Sequence, residues 1–266
     1  MTAQEHLQSG RPAEALAALQ EQVRANPADA KLRVFLFQLL SLLGQWQRAA
    51  TQLNLVGDMD PGTLAMKATY EDALQCEVLR PTVFAGERSP LVFGEPEQWI
   101  AQLIGAQQTF AAGEYKAFQA ALEASLDEAP EVSGTINGEP FEWIADADSR
   151  LGPILELVLN GRYYWVPFSR ISKILIEPPS DLRDAIWTPA NFVWANEGEA
   201  VGLIPTRYVG SEQAEDGALC LARSTEWQQP AENLYQGLGQ RVLMTDSSEY
   251  PLMEVREITL NTQSRA

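Results

Sequence analysis

Histidine is nearly absent from this 266-residue chain: His6 is the only one. A Ser-His-Asp or Cys-His mechanism needs a fixed imidazole beside its nucleophile, and a single histidine six residues from the start is a poor source of one. Cysteine is almost as scarce. Cys76 and Cys220 stand far apart and form no CxxC pair, so neither a zinc cluster nor a disulfide scaffold is expected. Positive charge is also in short supply. Lys plus Arg number 19 against 36 Asp plus Glu, a formal net charge of −17. Such a balance disfavours a nucleic-acid backbone or an anionic membrane surface as partner. No apolar run approaches the roughly 18 residues of a membrane span. The opening Met1-Thr2-Ala3-Gln4-Glu5-His6 has neither the basic nor the apolar region of an export signal. A reduced, cytoplasmic setting is therefore expected, with no cofactor and no metal.

What remains is an ordinary globular composition, 45% hydrophobic and 21% charged, long enough for one large domain or two average ones. The first half has helical periodicity. Leu7, Ala15, Leu16, Leu19 and Val23 fall on one stripe, as do Leu32, Phe35, Leu39, Leu40 and Leu43, then Ala49, Leu53 and Val56. A repeat overlies this pattern. Gly10 is followed by Ala15 at +5 and Pro27 at +17, and Gly44 by Ala49 and Pro61 at the same offsets, a period of 34 residues. That is the tetratricopeptide spacing. Glycine permits the tight turn between antiparallel helices, the small residue lets them approach, and proline ends the pair. Gly113 and Pro130 give a third partial match in which Phe118 replaces the small residue. Pro61 to about Leu79 reads as one long helix, and the stretch from Pro81 to Pro96 as loop. The start around His6 reads as frayed.

After Pro130 strand and turn signals dominate. Asn137-Gly138 and Asn160-Gly161 each sit between strand-like runs, the first between Gly134–Ile136 and Phe141–Ile144, the second between Ile154–Leu159 and Arg162–Val166. Asn-Gly readily takes the positive φ angles of a type I′ hairpin. Phe192–Trp194 and Val201–Ile204 flank an Asn196-Glu197-Gly198 turn, and further strands are expected at 218–222, 241–245 and 253–260. Pro178-Pro179 and Gly210 to Gly217 read as loops, Asn261 to Ala266 as a tail. The fold class is α+β: a TPR-like helical array over residues 1–130, then a mostly antiparallel β domain over 131–266. Charge does not divide the halves strongly, at −7 and −10. Five of the seven tryptophans fall in the second half, which suits a packed core or a recognition surface.

Several carboxylate groupings carry possible chemistry. Asp146-Ala147-Asp148 with Glu142 could ligate a hard cation, although the spacing is not that of an EF-hand and a plain solvated turn explains it as well. Asp181, Asp184, Glu156 and Glu177 could furnish an acid/base pair, but sequence spacing does not fix their separation. Tyr163 and Trp165 share one strand face and Tyr164 takes the other. Stacked helix pairs offer a groove suited to a peptide or helix.

Three segments bear a family resemblance. They are Gly161-Arg162-Tyr163-Tyr164-Trp165-Val166-Pro167-Phe168, then Leu182-Arg183-Asp184-Ala185-Ile186-Trp187-Thr188-Pro189-Ala190, then Leu203-Ile204-Pro205-Thr206-Arg207-Tyr208. With the helical repeats before them, they resemble the ImpE/SciE (TagJ) family, accessory proteins of bacterial type VI secretion clusters. The resemblance implies a cytoplasmic, non-enzymatic role, binding of the sheath subunit TssB through its N-terminal helix, and association with the disassembly ATPase ClpV. It carries no catalytic residues. Tyr163, Trp165, Arg170, Asp184, Trp187, Arg207 and Tyr208 are the residues expected to contact a partner or to shape its site. In the alternative, Trp165 and Trp187 are core and Asp184 pairs with Arg183 or Arg207. Two other functions remain open: a carbohydrate- or peptidoglycan-active protein using β-domain carboxylates, or a general TPR co-chaperone, for which Arg11, Arg24, Lys31, Arg33 and Arg48 are the available clamp cations.

Overall fold

The computed structural model describes residues 1–95 and 97–262. Seven helices open the chain: α1 (Ala3–Gln8), α2 (Pro12–Ala25), α3 (Ala30–Leu42), α4 (Trp46–Met59), α5 (Leu64–Phe84), α6 (Gln98–Ala111) and α7 (Tyr115–Glu128). The repeat glycines sit at the turns of three hairpins, α1/α2, α3/α4 and α6/α7. Gly10, Gly44 and Gly113 take φ of +70°, +65° and +76°, the left-handed region that side chains disfavour. Ala15, Ala49 and Phe118 at the +5 positions are all buried. Two local expectations change. The start is not frayed: Thr2 and Glu5 form a reciprocal capping box on α1, which satisfies two orphan amide donors. Pro81 does not open a loop either. It lies inside α5, which continues to Phe84 because Val83 and Phe84 are buried in the core and that burial outweighs one lost hydrogen bond near the helix end.

The strands are β1 (Leu91–Val92), β2 (Gly134–Ile136), β3 (Glu139–Phe141), β4 (Ile144–Asp146), β5 (Ile154–Leu159), β6 (Arg162–Pro167), β7 (Ile171–Ile176), β8 (Trp187–Trp194), β9 (Glu199–Pro205), β10 (Thr225–Ala231), β11 (Leu234–Gly239), β12 (Val242–Thr245), β13 (Glu249–Pro251) and β14 (Glu257–Leu260). Nine of them form one sheet in the order β1-β6-β5-β9-β8-β7-β14-β2-β3. Every pairing in it is antiparallel except β1 on β6. A three-stranded sheet (β13-β12-β4) and the β10-β11 hairpin complete the β part. Both Asn-Gly turns have positive φ at each central residue, 50° and 88° at Asn137 and Gly138, 49° and 73° at Asn160 and Gly161. This is the type I′ geometry whose twist matches the strands it joins.

Two strand expectations need correction, and one hairpin was not expected. Residues 218–222 are not a strand: Gly217–Cys220 form a short helix, α8, whose first turn is capped by the Asp216 side chain on the Ala218 amide. Residues 253–260 begin as a 3-10 turn at Leu252–Glu254 and become strand only at Glu257. The β10-β11 hairpin was not signalled by the pattern, since β10 is mostly polar and contains Pro230. Of the expected tail, residues 263–266 lie outside the described residues.

One hydrophobic cluster runs from the helices into the sheet. Leu19, Phe37, Leu39 and Leu74 share it with Trp165, Trp187 and Tyr163. The opposite face of the sheet packs a second cluster containing Leu157, Val166, Phe168, Ile174, Phe192 and Leu243. The turns of the first two hairpins dock on the β part. A Cβ on Gly217 would fall 2.0 Å from the Gly10 carbonyl oxygen, so only glycine permits that approach. Among the described residues no helix is long and apolar enough to cross a membrane.

Candidate functional site

Burying a charge is costly unless it is paired. Among the described residues eight charged side chains are buried: Arg80, Arg150, Arg207 and Arg241, with Glu77, Asp146, Asp148 and Glu156. They balance in number and cluster where α5 meets the sheet. Arg80, on α5, donates from Nε to Glu156 Oε1 at 2.8 Å, from Nη1 to Glu77 Oε2 at 2.9 Å and from Nη2 to the Arg207 carbonyl at 3.0 Å. Arg241 bridges Asp146 and Glu156. Arg150 grips Asp148 with two donors, at 2.9 and 2.6 Å. Arg207 donates to the Leu42 carbonyl at 2.9 Å, closing the C-terminus of α3, where a cation is favoured by the helix dipole.

Charge and burial oppose each other at these carboxylates. Burial would raise Glu156, but Arg80 and Arg241 outweigh it and hold its carboxyl at about 2. Burial dominates at Asp146, raising it to about 6 in spite of Arg241. Glu77 is also raised by burial, against the pull of Arg80. Burial pushes the Cys76 thiol up to about 12, which leaves it unreactive.

Five of the seven residues singled out in the sequence belong to this buried assembly. Tyr163 donates to Glu156 at 2.5 Å, and Trp165 Nε1 donates to the Tyr163 hydroxyl at 2.8 Å. Trp187 Nε1 donates to Glu77 at 3.0 Å. The Tyr208 hydroxyl donates to Asp146 at 2.9 Å and accepts from the Val242 amide at 3.0 Å. Arg207 is the fifth. All five are buried. The other two lie elsewhere. Arg170 pairs with Glu97 at 2.7 Å and is about a quarter exposed. Asp184 accepts from the Ser180 and Asp181 amides at 2.7 and 2.8 Å. It caps a turn and pairs with neither Arg183 nor Arg207, since Arg183 pairs with Asp181.

The carboxylate groupings disperse in the same way. Asp146 and Asp148 face Arg241 and Arg150, so their acceptor sites are filled by guanidinium groups. Glu156 belongs to the network, Asp181 to Arg183 and Gln38, and Glu177 is exposed in a loop. Among the described residues no group of three or more His, Cys, Asp or Glu could hold a metal ion. Sequence reasoning missed Arg80, Arg150 and Arg241. Their one local signal is an arginine set in apolar sequence, Leu79-Arg80 and Arg241-Val242-Leu243.

Helical hairpins welded by a neutral buried ion network to a largely antiparallel sheet define an α+β protein of TPR-like type, in which the β part braces the repeats. The chain belongs to the ImpE family. The family model described as ImpE protein matches residues 138–259, and a tetratricopeptide repeat model matches residues 6–71. A Pseudomonas aeruginosa protein named type VI secretion system accessory component TagJ is 48% identical over 260 residues, 97% of this chain and 90% of that protein. The crystal structure of protein VPA1032 from Vibrio parahaemolyticus superposes with a TM-score of 0.89 at 26% identity, covering 98% of both chains.

Proposed function

We propose that this protein is an accessory component of a type VI secretion system that acts in the cytoplasm as a non-enzymatic adaptor, binding the sheath subunit TssB through its N-terminal helix and linking it to the ATPase ClpV. The observation that carries this reading is the 48% identity with the TagJ component over nearly the whole of both chains. The architecture supports it in kind. A groove of about 380 Å³ between α2, α3 and α4 has Val23, Leu36 and Leu40 as its floor and Gln20, Arg24, Arg48, Thr51 and Gln52 on its rim. An amphipathic helix can lay an apolar stripe into such a floor. A chain of net charge −17 attracts a basic helix from a distance. The buried carboxylates favour a non-catalytic role, because arginine engages each of them.

Titration calorimetry with a synthetic peptide of the TssB N-terminal helix tests the reading. Saturable 1:1 binding is expected with Kd of about 10 µM, roughly −7 kcal/mol. Affinity should fall several-fold when salt is raised to about 0.5 M. Thr51→Trp, placed on the exposed rim of the groove, should weaken binding about tenfold without unfolding the chain. Absence of heat at several hundred micromolar peptide would refute the proposal.

A further inference from the structure

A second groove, of about 590 Å³, runs between α5 and the edge of the nine-stranded sheet. On the helix side it is lined by Gln75, Val78, Leu79 and Thr82, which repeat at i, i+3, i+4 and i+7. That is one continuous ridge of a helix. On the other side stands Leu91 of β1, the two-residue strand at the edge of the sheet. Two of its walls are large apolar side chains left open to solvent, Val78 at 58% exposure and Leu91 at 45%. Arg88 and Arg162 also line it, with the buried Tyr163 beneath. They are also the two described arginines without a recorded side-chain hydrogen bond or ion pair, whereas Arg24, Arg33, Arg48, Arg170 and Arg183 all have partners. The carboxylate of Asp72 stands over Gly161 at one end of the groove and forms no ion pair with Arg162. In a molecule this acidic, two unpaired guanidinium groups beside exposed Val78 and Leu91 form a local reversal of charge.

We propose that this groove is a docking surface, separate from the one between α2 and α4, for an acidic amphipathic helix of a second protein. The ridge at 75, 78, 79 and 82 matches a partner helix packed along α5 with its own i, i+3, i+4 and i+7 apolar side chains. Carboxylates flanking that stripe reach Arg88 and Arg162, each able to take a carboxylate through two donors. The charge preference is opposite to that of the acidic bulk surface. An adaptor with two separate grooves can hold two partners at once without either competing for the other's place.

Fluorescence anisotropy of the full chain with two designed 16-residue helical peptides tests this. Both carry leucines on one stripe; one has glutamates on both flanks and the other lysines. The glutamate peptide should bind in the micromolar range, and the Arg88→Glu, Arg162→Glu double variant should bind it at least about tenfold more weakly. The same double variant should gain affinity for the lysine peptide. Neither arginine side chain makes a hydrogen bond or ion pair within the chain, so the melting midpoint should stay within about 3 °C. Val78→Asp should abolish binding of the glutamate peptide. An unchanged affinity for the glutamate peptide in the double variant would overturn the proposal. So would concentration-dependent self-association that Val78→Asp removes, because a second copy would then be the occupant. Binding of the TssB helix peptide should be unchanged in the double variant, so failure here leaves the proposed function standing.

Discussion

Replacing Arg241 with methionine should lower the unfolding free energy by about 3–5 kcal/mol, read as a fall in the urea midpoint with an unchanged slope. Arg241 is wholly buried. Its guanidinium faces Asp146 and Glu156, donates from Nε to the Pro205 carbonyl at 2.9 Å and lies 5.3 Å from the centre of the Tyr208 ring. Methionine keeps much of the volume, so packing loss is a minor part of the effect. The cost comes from the carboxylates left behind. Glu156 retains Arg80 and Tyr163, whereas Asp146 retains only the Tyr208 hydroxyl and the Asp148 amide. Adding Asp146→Asn to Arg241→Met should therefore recover part of the loss, with a coupling of more than about 1 kcal/mol. As a control, Arg24→Met at the exposed Arg24–Glu21 pair should change stability by no more than about 0.5 kcal/mol. Equal effects at the two sites would mean that the buried network contributes no more to stability than an exposed pair.

Acid should expose the same network through Glu156. Its carboxyl is held at about 2 in the folded chain, against an ordinary value of 4.5. The group thus contributes stability that is fully present above about pH 4.5 and is lost as pH falls toward 2, of order 3 kcal/mol in all. Asp146 acts with the opposite sign. Raised to about 6 from 3.8, it takes up a proton more readily folded than unfolded, so its contribution grows as pH falls from about 6 to 4. The stability of the unaltered chain minus that of Glu156→Gln should then shrink between pH 4.5 and 2. A difference that is flat over that range would contradict the pairing of Glu156 with Arg80 and Arg241.

The parts of the fold that were legible in the sequence are those set by local stereochemistry. Gly10, Gly44 and Gly113 mark helix turns because few other residues tolerate their φ. Asn137-Gly138 and Asn160-Gly161 mark hairpins for the same reason. Where tertiary contact decides, local signals failed. Pro81 is helical because its neighbours are buried, and residues 217–220 are helical because Asp216 caps them. For the site, alternation on β6 placed Tyr163 and Trp165 on one face, but periodicity does not say which face is core. Both turned inward, as did Trp187 and Tyr208, where their polar tips reach buried carboxylates. The network itself joins residues 77 and 80 to 146–156, 207 and 241, separations over which no spacing rule operates. Arg80, Arg150 and Arg241 were therefore invisible until the chain was folded.

The adaptor role is tested most directly by bridging. Immobilised TssB is loaded with increasing amounts of this protein and then exposed to ClpV. ClpV retention is expected to rise in proportion to the protein bound, and to return to baseline when a competing TssB N-terminal helix peptide displaces it. ClpV retention that is identical with and without the protein, or failure of the protein to load onto TssB at all, would contradict the role proposed for it.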